Sequence, residues 1–164
     1  MAMLSYLHFD ALNPSDFLPL LNNPDNRKHL IKHTLFTADS AKAWLEGKIA
    51  EDATPGCRVR AILCDRALAG WCAIQFQNGE YEMAIILDVK FWGLGRQVFH
   101  EMMAWAEELR HDQLVIHLLH TRPEYKFLQK IASKVYETEI FGETFTSYKI
   151  DVEACLRGPS ELSR

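Results

Sequence analysis

The stretch from Tyr81 to Leu119 restricts the possible folds more than any other. "YEMAIILDV" starts alternating and ends continuously apolar, as a strand near the middle of a sheet does. Gly93 and Gly95 follow one residue apart, and Leu94, Val98, Met102, Trp105 and Leu109 then recur at helical spacing to about Arg110. "QLVIHLLH" reads as another strand, too apolar for a sheet edge. Strand 81–89, helix 94–110 and strand 113–119 fit a right-handed parallel crossover.

The flanking sequence supplies the other elements of an α/β sheet. "MLSYLHF" alternates weakly and predicts a first strand. "NPSDFLPLLNN" predicts a short helix interrupted by Pro19, and "PDNRKHLIKHTLF" is either a helical turn or an ordered loop. In "TADSAKAWLEGKIAED", Ala41, Trp44, Leu45, Lys48 and Ile49 mark a helix, with Ser40 or Thr37 as cap. "CRVRAILCD" and "LAGWCAIQFQ" are strands, and Asn78-Gly79 signals a hairpin into the strand that follows. Later, "PEYKFLQKIASKV" predicts a helix opened by Pro123, and "YETEIF" and "TFTSYKIDV" a closing antiparallel pair across "GE". The expectation is one domain over 1–153, with a disordered tail at 154–164.

A chain of 164 residues is long enough for one well-formed core. Its net charge of −4, without a basic run, disfavours a general nucleic-acid binder. Four cysteines without CxxC spacing point to reduced thiols in a cytoplasmic protein. "MAMLSYLHFD" lacks the pattern of a signal peptide, and no apolar run is long enough to span a bilayer, so no membrane partner is expected.

A strand that ends in Gly-x-Gly and opens a helix can present backbone N–H groups to an anion, or it can be a tight turn that binds nothing. A dinucleotide fingerprint is excluded because its third glycine would fall at Val98, and a P-loop because no GK[ST] follows. "YEMAIILDVKFWGLG" resembles motif A of the Gcn5-related N-acetyltransferase (GNAT) superfamily. It is most similar to the branch that acetylates ribosomal-protein amino termini, and "SAKAWLEGKI" is similar to that branch too. The resemblance implies a mixed, mostly antiparallel sheet with one central parallel βαβ unit and helices on both faces. It also implies acetyl-coenzyme A as co-substrate, its pyrophosphate held by main-chain amides of the pattern Q/R-x-x-G-x-G/A. Here that pattern falls on Trp92, Gly93, Leu94, Gly95, Arg96 and Gln97, with Trp92 and Gln97 departing from it. The pantetheine arm would pair with backbone near Leu87, Asp88 and Val89 where two strands splay apart.

The candidates for chemistry follow from alternation and from the resemblance. Glu82 shares a face with Ala84 and Ile86, so burial would raise its pKa toward that of a useful base; otherwise it is an edge-of-sheet carboxylate paired with a nearby Lys or Arg. It also matches the glutamate of the family's strand. His117 reads as a core histidine, and His120 lies nearer the cleft. His29 and His33 have helical metal-ligand spacing but no third ligand, so no metal is expected; His100–Glu101 reads as helix surface. The tyrosine that the family often uses as acid falls on Ile131 and its coenzyme-contacting asparagine on Glu124, which leaves Tyr125 as the available phenol or as core.

The resemblance implies direct acetyl transfer, in a ternary complex, to the primary amine of a protein amino terminus or a small molecule. The alternatives are a non-catalytic acyl-coenzyme A sensor and a structural domain without coenzyme. The resemblance implies that acceptor choice lies in about 14–50 and 136–151, where Glu137, Glu139 and Glu143 either attract a cation or form a solvated rim. A homodimer is compatible with all of this.

Overall fold

A computed structural model describes residues 3–28, 33–122 and 125–157. Strands β1 (Leu4–Leu7), β2 (Arg58–Cys64), β3 (Ala67–Gln77), β4 (Glu80–Leu87), β5 (Gln113–Leu119), β6 (Ala132–Ile140) and β7 (Glu143–Asp151) form one sheet in the order β1-β2-β3-β4-β5-β7-β6. Every neighbouring pair is antiparallel except β4 and β5. The helices are α1 (Leu18–Asn22), α2 (Pro24–Arg27), α3 (Ala38–Asp52), α4 (Gly95–Glu108), α5 (Lys126–Ile131) and α6 (Val152–Leu156). Short 3-10 segments lie at Phe9–Ala11, Pro14–Phe17 and Val89–Leu94. None of the described helices is long and apolar enough to cross a membrane.

Strand alternation sends two cores to opposite faces. Met83 and Leu87 of β4 pack with Val98, Phe99 and Met102 of α4. Ala84 and Ile86 of β4 face Phe9, Phe17, Leu20 and Trp71 on the side of α1 and α3. Thr37 caps α3 and Ser40 completes the reciprocal pair. The hairpin at Asn78-Gly79 has positive φ at both residues, 52° and 78°, as a type I′ turn requires.

The closing elements differ from expectation. The helix that opens "PEYKFLQKIASKV" stops at Ile131, and Ala132 starts β6. The β-forming residues Val135, Tyr136 and Thr138 pair with β7, and this outweighs continued helix. The last turn falls on Phe141-Gly142, with φ 51° and 77°, and not across Gly142-Glu143. Residues 154–157 are not tail: Val152 is buried against the α4 core, and Asp151 caps α6 through the Ala154 amide. Pro123, where the helix was expected to open, lies outside the described residues. The four cysteines are free thiols.

Gly70 of β3 is where two backbones come closest. A Cβ there would lie 2.0 Å from the Ile86 carbonyl oxygen on β4. We expect Gly70→Ala to destabilise the fold by about 1–3 kcal/mol through overpacking, read as a lowered urea midpoint. An unchanged midpoint would show that the strands can separate without cost.

Candidate active site

The parallel contact between β4 and β5 consists of one residue pair, Glu82 with Val115. Beyond it β4 runs on to Leu87 and β5 to Leu119 without pairing to each other. The sheet therefore opens as a wedge with Glu82 at its apex. A cavity of ≈ 590 Å3 fills the wedge and reaches both faces of the sheet. On the α4 side it is lined by Ile85, Leu87, Trp92, Gly93, Gly95 and Arg96, with Arg122, Tyr125 and Phe127 across from them. On the other side Leu20, Leu21, Phe36, Trp44 and Trp71 lead down to Gln75 and Glu82.

Glu82 and His117 meet in this cavity. Burial pushes the Glu82 carboxyl above the usual carboxylate range, and neighbouring Glu80 adds to the effect. His117 and Lys48 oppose the rise, as does a hydrogen bond from Gln75. The Gln75 side chain is buried, and its Oε1 accepts from Lys48 Nζ at 3.2 Å. His117 Nδ1 lies 2.6 Å from Ser147 Oγ, which in turn is 2.6 Å from Thr138 Oγ1. His117 Nε2 lies 3.3 Å from Glu80 Oε1. His117 is enclosed, its side chain 8% exposed, as a core histidine would be, and it also lines the cavity. Its alternation partner Ile116 faces α4, which turns the imidazole toward the Glu82 side; the period-two pattern could have shown this had the neighbouring strand been known.

Tyr125 lines the cavity, and its hydroxyl accepts a hydrogen bond from Arg122 Nη2 at 2.7 Å, which leaves the phenolic proton free to be donated elsewhere. The Arg122 guanidinium lies 4.7 Å from the Trp92 ring centre, and that of Arg96 4.4 Å from the Phe127 ring centre. His120 is outside the cavity lining; its Nδ1 stands 3.2 Å from the Thr144 carbonyl oxygen. His33 lines the outer rim with its ring against Phe36, while His29 lies outside the described residues. Among the described residues no group of three metal-ligating side chains occurs.

Several backbone groups leading into the glycine turn are bonded within the protein. Asp88 leaves β4 and caps a six-residue 3-10 helix, Val89–Leu94, that runs directly into α4. The Val89 amide donates to Asn26 Oδ1 at 3.0 Å, the Lys90 amide to Asp88 Oδ1 at 3.2 Å and the Gly95 amide to the Trp92 carbonyl. The Asp88 amide is held by the Ala69 carbonyl at 2.8 Å, and the Leu87 carbonyl accepts from Trp92 Nε1 at 3.0 Å. These polar groups of Leu87, Asp88, Val89 and Gly95 are thus engaged within the protein, and Asp88, Val89, Leu94 and Gln97 do not line the cavity. The strand edge left open to an extended ligand lies upstream, between Met83 and Ile86.

The turn still faces open space. A Cβ at Gly93 would meet nothing within 4 Å, and one at Gly95 would meet only Leu87 Cδ1, at 3.8 Å. An extended, amide-rich ligand with an anionic end therefore has a place here. The unpaired edge of β4 matches its amides, and the two arginines match its charge. Asn26, which no sequence signal singled out, is buried and sets the shape of this end through bonds to the Leu20 carbonyl and from the Val89 amide.

No protein-family model and no curated protein matches the chain. Solved structures do. A spermidine N-acetyltransferase from Vibrio cholerae, in complex with CoA and spermine, superposes with a TM-score of 0.70 at 15% identity, over 94% of this chain and 98% of that one. An N-acetyltransferase from Staphylococcus aureus Mu50 gives 0.65 at 16% identity, over 93% and 99%. A GNAT-family acetyltransferase from Streptococcus pneumoniae gives 0.62 at 13%, over 92% and 99%. The chain has the GNAT fold: one mixed, mostly antiparallel sheet with a single parallel pair and helices on both faces.

The raised Glu82 pKa carries a stability consequence. The folded state holds a proton that the unfolded chain has released once pH exceeds the ordinary glutamate value of about 4.3. Stability therefore falls as pH rises from there through the raised value, and levels off above it. We expect Glu82→Gln to flatten that part of the profile in urea unfolding between pH 4 and 8. An identical slope in both proteins would mean that Glu82 titrates normally.

Proposed function

We propose that the chain is an acetyl-coenzyme A-dependent N-acetyltransferase of the GNAT superfamily, acting on a primary amine by direct attack within a ternary complex. The observation that carries this reading is the wedge between β4 and β5, open to both faces of the sheet with a half-buried carboxylate at its apex. Such a channel lets two substrates enter from opposite sides and meet beside one base. The Trp92-Gly93-Leu94-Gly95 turn resembles that of the branch acting on ribosomal-protein amino termini, which supports a peptide amino terminus as one acceptor class.

Acetyl-coenzyme A would supply an activated acetyl group and a thiolate leaving group. The open edge at Met83–Ile86 would hold its pantetheine arm, and Arg96 and Arg122 would take the phosphate charge beside Gly93 and Gly95. The protein's own part is then proton handling. Glu82 accepts one proton from the acceptor ammonium, directly or through water, and frees the nitrogen lone pair that forms the N–C bond as the C–S bond breaks; the new amide nitrogen releases its remaining excess proton to water. Its raised pKa brings its basicity closer to that task. Tyr125, its oxygen held by Arg122, can donate its proton to the departing sulfur. His117 stands beside Glu80 on the same side, where it stabilises charge on the carboxylates.

A second reading, a sensor that binds acyl-coenzyme A without turnover, draws on the internally bonded amides of Val89, Lys90 and Gly95. Measurement separates the two. Acetyl-coenzyme A at about a hundred times its Kd adds roughly 2.7 kcal/mol, which raises Tm by about 5–10 °C for a domain of this size. Gly95→Asp has room for its side chain and should fold, yet lose that shift by placing a carboxylate beside the phosphate site. Glu82→Gln should keep the shift and lower kcat by about 10²–10⁴, and the parent's kcat/KM should rise with pH through the Glu82 pKa. A shift without thiol release from any amine would favour the sensor, and no shift at millimolar coenzyme would exclude both.

A further inference from the structure

We infer that the acceptor is a primary monoamine carried on an uncharged, apolar body about the size of one aromatic ring, and that Phe36, Trp44 and Trp71 select it. This rests on the transferase reading and names the acceptor class of the same site.

The acceptor arm is the part of the cavity on the α1–α3 side, and rings dominate its walls. Trp44 lies 5.7 Å from Trp71 and 6.2 Å from Phe36, both edge to face. Phe36 and Trp44 are half-buried, so part of each ring remains uncovered where the cavity passes. Leu20 and Leu21 complete the apolar lining. Water displaced from such a surface favours an apolar guest, and flat rings accept a flat one best.

Charge decides how many cations the guest can carry. Among the described residues Glu82 is the only carboxylate that lines the cavity. Glu80, beside it in the strand, is engaged with His117. Lys48 already lies 4.6 Å from the Trp71 ring centre and donates to Gln75 and Glu51, so that ring's cation site is taken. One ammonium can be matched at the apex. A second, farther out, would find the rings and His33 at the rim in place of a carboxylate. The opposite arm is no better for a polycation, because Arg96 and Arg122 line it. Glu137 and Glu139 stand exposed on the edge strand β6, outside the cavity lining.

The test uses the full chain with acetyl-coenzyme A, detects released thiol, and compares 2-phenylethylamine, hexylamine, spermidine and a lysine-rich peptide. The two monoamines should exceed the other acceptors at least tenfold in kcat/KM. Calorimetry with coenzyme A present should show 2-phenylethylamine binding and no spermidine binding at equal concentration. Phe36→Glu adds a carboxylate at the rim without touching the backbone bonds that Asn22 makes to residue 36. It should raise KM for 2-phenylethylamine at least tenfold and improve spermidine, with the acetyl-coenzyme A shift in Tm unchanged. Trp44→Leu gives an independent check and should raise KM for 2-phenylethylamine more than for hexylamine. Equal or better turnover of spermidine or the peptide by the parent protein would overturn this inference and leave the transferase intact. Turnover of no amine would overturn both.

Discussion

A parallel pair of strands that meets at one residue pair and then separates is the constraint behind every other feature of this molecule. Parallel neighbours normally continue their ladder, because an unpaired backbone group inside a protein is costly. Here β4 is secured on its other side by eight paired residues of β3, and β5 by seven of β7. Each strand can therefore lose its neighbour without losing its place in the sheet. The opening is stable because the two halves of the sheet are antiparallel and largely self-sufficient. Its cost is a row of unmatched polar groups, which makes the wedge receptive to an extended amide.

The same opening explains why chemistry collects at the apex. There Glu82 of β4 and His117 of β5 reach a shared space from the same face, and Glu82 is the one carboxylate among the described residues that lines it. Glu82 keeps a hydrogen bond from Gln75 and the opposing field of His117 and Lys48, so burial raises its pKa without stranding it. The hydroxyls of Ser147 and Thr138 extend the network to β7 and β6, fixing the imidazole from behind.

Much of this could be read from the residues before any coordinates. The apolar run from Met83 to Leu87, the paired glycines and the helix after them identified the crossover, because periodicity and turn chemistry are local properties. Glu82 was found from alternation, since its companions Ala84 and Ile86 are plainly interior. What could not be read depended on contacts distant in sequence. Asn26 lies over sixty residues from Val89, so nothing near Gly93 revealed that an outside side chain would occupy a turn amide. Asp88 looked like the end of a strand, although its carboxylate caps a 3-10 helix. His117 is enclosed, as its apolar flanks implied, but the face it shares with Glu82 emerges only once β4 and β5 are placed side by side. The length of the last helix was misjudged for a related reason: β7 draws Ala132 and the residues after it into the sheet.

Asn26 ties together parts of the cavity that otherwise share no element. Its amide nitrogen holds the carbonyl of Leu20, on the apolar wall, and is 3.3 Å from Asp88 Oδ2, while its oxygen receives the Val89 amide beside the glycine turn. A single planar group cannot serve two masters independently. Loss of this one amide would release the Leu20 carbonyl and the Val89 amide together, so a single side chain fixes both the wall and the turn.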